Sequence, residues 1–173
     1  MDTADIAREV GVRYQHAYNV LKRSNGVTPQ KREKRMPAPP KPTLTSDILL
    51  KGGFLHSATW RLTADILEID QPLPKDEGVY AFAKEGQILY VGVATMGLSK
   101  RIYFYRKPGS TQRTSLRIHG LLREQLASCP SIEILTAVPD NHQWNGLPVH
   151  GSAGLELGLI KNYTLPWNVR SAR

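Results

Sequence analysis

The 173-residue sequence predicts an α+β fold behind a small N-terminal pair of helices, on three observations. Two runs rich in β-favouring residues, 78–83 and 87–93, are separated only by Lys84-Glu85-Gly86. Helical periodicity follows at 99–105, 115–128 and 155–163, with one more strand-like run at 131–138. Ahead of all this, residues 3–24 carry helical spacing broken at Gly11.

Composition narrows the class. Apolar residues make up 40% and charged residues 22%, as in an ordinary globular protein, and no apolar run reaches the roughly 18 residues of a membrane span. The acidic, polar start lacks the basic and apolar segments of a secretory signal, so a cytoplasmic location is expected. The single cysteine, Cys129, cannot form an internal disulfide, and no Cys/His spacing suits zinc. Cys129 is expected in the core. The net charge of +8 points to nucleic acid, because neutralising phosphates releases condensed counterions. Residues 1–41 hold nine Lys/Arg against four Asp/Glu, so the excess is concentrated at the N-terminal end.

Residues 1–27 are expected to form a helix-turn-helix-like module. Thr3 is the expected N-cap, Ile6, Ala7 and Val10 form an apolar stripe, and Gly11 makes the turn before helical spacing resumes through Ala17, Val20 and Leu21. Arg13, Tyr14, Gln15, His16, Asn19, Lys22 and Arg23 then offer side chains for phosphates and base edges. Residues 28–45 read as a basic, proline-rich linker with five prolines and the cations Lys31, Arg32, Lys34 and Arg35, suited to tracking a phosphate backbone.

Residues 46–173 are expected to form the main domain. Asp47–Leu50 and Ala58–Ile69 have weakly helical character. In the hairpin, a three-residue loop with Gly86 in the left-handed conformation pairs Ala83 with Gln87 and sets Tyr80 opposite Tyr90. Val79, Ala81, Leu89 and Val91 then face the core, and Gly78, Tyr80, Phe82, Ile88, Tyr90 and Gly92 share the other face. A two-residue loop at Glu85-Gly86 instead puts the tyrosines on opposite faces. His56, His119, His142 and His150 have no metal-like spacing, and the long polar stretch 139–152 is a candidate DNA-contacting loop.

Gly78-Val79-Tyr80, Tyr90-Val91-Gly92, Arg101, Glu156 and Asn168, in that order, resemble the GIY-YIG nuclease superfamily, over roughly residues 76–168. The resemblance, nearest to small restriction endonucleases, implies a small antiparallel sheet flanked by helices and hydrolysis of double-stranded DNA with Mg²⁺ or Mn²⁺. It implies Tyr80 as general base, Tyr90 as its positioning partner, Arg101 with Tyr105 as phosphate clamp, Glu156 as metal ligand and Asn168 as an orienting residue. An arginine fork suits a phosphate, and Tyr105 stands one helical turn from Arg101. Glu156 lies in a nearly apolar helix, where a carboxylate requires a cation, either a metal or an arginine. Cutting both strands implies a homodimer on DNA or one site acting twice. A homing-type or repair nuclease and an inactive DNA-binding regulator are the alternative roles.

Overall fold

The computed structural model describes residues 2–24 and 39–169. The chain divides into two compact units, Met1–Pro39 and Pro40–Arg173.

In the first unit, α1 (Thr3–Glu9) packs against α2 (Tyr14–Ser24). Ala7 and Ala17 are buried, and their small side chains let the two helices approach closely. Gly11 turns the chain with φ 67°, and the Val12 amide donates back to the Ala7 carbonyl at 3.0 Å. The expected cap is corrected: Asp2, not Thr3, occupies the N-cap position, without a side-chain hydrogen bond. Arg13, Tyr14, Gln15, His16, Asn19, Lys22 and Arg23 are all exposed. The cations Lys31, Arg32, Lys34 and Arg35 fall outside the described residues.

The C-terminal end of the expected linker is packed structure. Leu44 is fully buried and its carbonyl accepts the Ile88 amide at 2.9 Å, while Thr43 bridges to Thr164 and Thr45 to Gln87. This segment is therefore part of the second unit, held by the buried Leu44 side chain and by backbone hydrogen bonds.

That unit is an antiparallel five-stranded sheet between two layers of helices. The strands are β1 (Leu55–Thr63), β2 (Ile66–Ile69), β3 (Gly78–Lys84), β4 (Gln87–Ala94) and β5 (Ile132–Ala137), in the spatial order β2-β1-β5-β3-β4. The helices are α3 (Ser46–Lys51), α4 (Leu98–Arg106), α5 (Arg113–Leu126) and α6 (Gly151–Asn162). On one face Leu98, Ile102, Tyr105, Ile118 and Leu122 pack against Trp60, Tyr80, Phe82 and Tyr90. On the other, Leu49 and Leu159 cover Val79, Ala81, Ala83, Ile88 and Val91. Both faces are therefore core, and β3 is buried from Gly78 to Ala83. The face carrying the tyrosines is not the open surface that one-sided burial implies.

Residues 58–69 are strand, not helix. Ala64 and Asp65 both take positive φ, the backbone of a tight two-residue hairpin turn, and Ala58 and Trp60 enter the core. The stretch 139–152 also contains a hairpin, β6 (His142–Trp144) and β7 (Leu147–Val149), turned at Asn145-Gly146.

The central hairpin has an unexpected register. Its loop is the two-residue Glu85-Gly86, both at positive φ, and Lys84 pairs with Gln87. That loop alone would send the tyrosines to opposite faces. A β-bulge beyond Ala83 inserts one residue and reverses the alternation, so Phe82 pairs with Tyr90 and Tyr80 with Gly92. Tyr80 and Tyr90 thus share a face as diagonal neighbours, with ring centroids 6.1 Å apart, and are not directly opposite. The bulge also exchanges two residues: Ile88 goes to the α3/α6 face and Leu89 to the α4/α5 face.

Candidate active site

Three phenols and one guanidinium meet where β3, β4 and α4 come together. The hydroxyls of Tyr80 and Tyr105 are 2.5 Å apart, and Tyr105 donates to the Tyr90 hydroxyl at 3.4 Å. Arg101 donates from Nη2 to the Tyr105 hydroxyl at 2.8 Å and from Nη1 to Ser115 Oγ at 3.1 Å. Its Cζ also lies 4.5 Å from the centre of the Tyr105 ring. The proton inventory closes when Tyr80 donates to Tyr105 and Tyr105 to Tyr90, which leaves the lone pairs of Tyr80 free to accept.

Local structure fixes each member. Gly92 makes room for Tyr80: a Cβ there would stand 2.6 Å from the phenol Cζ. The helix bearing Arg101 starts after Gly97 and not at Ser99; Gly97 has φ 95°, and an added Cβ would collide with the Lys75 carbonyl. The amides of Leu98 and Ser99 donate to the carbonyls of Asp76 and Pro74, both at 2.9 Å, so two otherwise orphaned donors anchor α4 to the segment leading into β3. At its other end, Nδ1 of His119 lies 2.8 Å from the Tyr105 carbonyl and joins α4 to α5.

Burial governs the electrostatics. Tyr80 and Tyr105 have no solvent exposure, and burial raises both phenols far above their ordinary value. Tyr90 raises each further, while Arg101 lowers both. Arg101 is itself held above its usual value: burial disfavours its charge, but Tyr80 and Tyr105 more than compensate.

Glu156 reaches the same region from α6. Its Oε1 accepts the Val93 amide at 3.1 Å, at the peptide that follows Gly92. Burial pushes its carboxyl up, against the opposing pull of that amide and of Arg101. Among the described residues it forms no ion pair with an arginine, so the buried-ion-pair alternative is not what the structure holds. Nor does any group of three or more His, Cys, Asp or Glu gather there as a ligand set. A single half-buried carboxylate with one oxygen uncommitted fits Mg²⁺, which keeps most of its water, better than it fits a protein-caged zinc.

Asn168 is bound to the backbone of β4. Its Oδ1 accepts the Val91 amide at 3.0 Å and its Nδ2 donates to the Val91 carbonyl at 2.8 Å. The Trp167 amide donates to Leu89 at 2.8 Å. Since β4 is a sheet edge, Trp167, Asn168 and Glu156 supply partners along it for the Leu89 carbonyl, both Val91 groups and the Val93 amide, and fix the strand that carries Tyr90. Both ends of the Asn168 amide are thus engaged by the strand that carries Tyr90.

The structure thus brings Tyr80, Tyr90, Arg101 and Tyr105 into one cluster, with Glu156 and Asn168 on the adjoining strand edge. Ser115 and His119 complete it. Ser115 is buried and grips Arg101, yet in sequence it reads only as the start of a helix. Tyr90 borders a cleft of about 380 Å³.

The fold has solved counterparts. A mutant of bacteriophage T4 EndoII superposes with a TM-score of 0.59 at 20% identity, covering 72% of this chain and 98% of that one. The restriction endonuclease HPY188I in complex with product DNA gives a TM-score of 0.44 at 16% identity, covering 68% of this chain and 78% of that one. No family model matches the chain, and no curated protein matches it.

Proposed function

We propose that the second unit is a metal-dependent DNA endonuclease of the GIY-YIG type. The observation that carries it is the convergence of Tyr80, Tyr90, Tyr105 and Arg101 from three separate elements, with the carboxylate of Glu156 one peptide beyond Gly92. The fold likeness to bacteriophage T4 EndoII, an endonuclease by name, supports it.

Hydrolysis of a phosphodiester requires a deprotonated water, neutralisation of the phosphate and stabilisation of the departing oxygen. Arg101 supplies the phosphate clamp. Its guanidinium is already oriented by Ser115 and Tyr105, so little reorganisation remains when charge builds on the phosphate. Tyr80 acts as general base through the hydroxyl cluster: one phenol proton is first lost to solvent by way of Tyr90, leaving a phenolate charge shared along Tyr80, Tyr105 and Tyr90 and opposed by Arg101, and this phenolate then takes the proton of the attacking water as its oxygen adds to phosphorus. Tyr90 is the member that meets the cleft. Glu156 would hold Mg²⁺ or Mn²⁺, which when bound supplies Lewis-acid stabilisation of the leaving oxygen.

In this proposal the first unit is a helix-turn-helix-like DNA reader. Tyr14 and Tyr18 stack at 6.3 Å, Lys22 lies 5.8 Å from the Tyr18 ring centre, and the exposed Arg13, Gln15, His16, Asn19 and Arg23 offer further contacts. Residues 31–35 would track the backbone. A reader joined to a single cutting site suits a sequence-specific, restriction-type enzyme acting as a homodimer on a symmetric target. Digestion of plasmid DNA with Mg²⁺ tests this: discrete fragments are expected, a smear would leave the nuclease but remove the sequence specificity, and intact plasmid across metals and salts would overturn both.

A further inference from the structure

The cleft beside Tyr90 is lined by Tyr90, Arg113, Thr114, Arg117, Asn168 and Val169. At about 380 Å³ it is within the range of small-ligand clefts, roughly 300–1,000 Å³. Two features give it a chemical character. Arg113 and Arg117 stand one turn apart on α5, where like charges repel, and among the described residues neither joins an ion pair. They also lie in the first part of a helix whose first turn has no acidic residue, so the helix dipole opposes them as well. A pair of cations placed at an electrostatic cost on a cavity wall suits an anion that arrives from outside.

The cleft is continuous with the hydroxyl cluster. Tyr90 lines it, and Tyr105 hydrogen-bonds the Tyr90 hydroxyl while accepting from Arg101. From the same helix, Ser115 points inward to Arg101 while Arg113 and Arg117 line the cleft. One rigid element therefore sets the spacing between the guanidinium at the reacting centre and the two at the cleft.

We propose that this cleft binds a phosphodiester of the nucleic-acid strand adjacent to the one cut, with Arg113 and Arg117 as positioning residues that set the strand's register. This rests on the nuclease function proposed above, and deepens it by assigning where the strand runs.

The test uses the full chain and an Arg113→Gln/Arg117→Gln double variant, with Arg117→Gln alone as a milder companion. Binding of a fluorescent duplex is followed in EDTA across salt concentrations, and cleavage with Mg²⁺ is measured separately. Because each phosphate contact contributes roughly 0.9 to the slope of log K against log salt, the double variant should lower that slope by nearly 2. KM should rise about tenfold or more with kcat nearly unchanged. A methylphosphonate next to the cut should weaken the wild type but not the double variant. An unchanged slope and KM, or a loss confined to kcat, would overturn the cleft assignment while leaving the nuclease standing. A reduced slope in a protein that cuts no DNA would support the cleft and remove the nuclease.

Discussion

The hydroxyls of Tyr80 on β3 and Tyr105 on α4 stand 2.5 Å apart in a buried site, and the Arg101 guanidinium is 2.8 Å from the second of them. This contact joins a strand to a helix through two phenols whose protons burial makes hard to remove. Tyr80→Phe deletes the proposed base and should lower single-turnover cleavage by roughly 10²–10⁴, the usual contribution of a general base, while DNA affinity changes little. Retention of full activity by the variant would exclude Tyr80 as base.

The raised phenol values also set a pH dependence. Since burial lifts Tyr80 and Tyr105 above the ordinary tyrosine range, the phenolate fraction is small at neutral pH and grows with each unit up to and beyond pH 10. Cleavage measured below alkaline unfolding should rise with pH across pH 7–9 without a plateau. Stability moves the other way: the unfolded phenols ionise near pH 10 while the folded ones keep their protons, so stability falls above that point.

Arg101→Lys keeps the charge but loses the planar fork that reaches Ser115 and Tyr105 together. A fall in kcat of about 10²–10³ is expected, comparable to the loss of one fixed donor to a developing oxyanion. Ser115→Ala, which frees one end of the fork, should show a smaller fall in kcat with KM little altered. Steady-state kinetics on a fixed duplex separates the two.

Much of this site is legible in the sequence, for physical reasons that can be named. Helical spacing puts Arg101 and Tyr105 on one face and the cost of a carboxylate among apolar residues marks Glu156, but it is the resemblance that singles out this set. The shared face of Tyr80 and Tyr90 is also foreseen, but through a three-residue loop that does not exist. The two-residue turn reverses the alternation and a bulge restores it, and a bulge leaves no local signature in residues 83–90. Residues 58–69 escape because their turn, Ala64-Asp65, lacks the usual glycine. By contrast, Asn145-Gly146 is a recognisable hairpin signal between Trp144 and Leu147. Ser115 is invisible in advance because its contact depends on how α5 meets α4, and Asn168, singled out only by the resemblance, has partners that depend on β4 being an edge.

Asn168 tests that edge. Asn168→Ala removes both bonds to the Val91 backbone and leaves a part-buried amide and carbonyl without them, so stability should fall by about 1–3 kcal/mol in urea unfolding. An unchanged midpoint would mean that the strand is held by other contacts.

In the proposed nuclease, metal-dependent DNA cleavage depends on Glu156, and burial, which raises its carboxyl, adds a second signal. Ionising a carboxyl whose folded pKa lies above its unfolded value costs stability as pH rises past the ordinary carboxylate range, and a divalent cation bound to that carboxylate offsets the cost. The most direct measurement compares wild type with Glu156→Gln for plasmid cleavage and for the change in Tm on adding Mg²⁺, at neutral pH and near pH 4. The wild type should cut and gain Tm at neutral pH, losing the gain in acid, while Glu156→Gln neither cuts nor responds to Mg²⁺ yet still binds DNA. Equal cleavage by the two proteins would exclude Glu156 as the metal ligand.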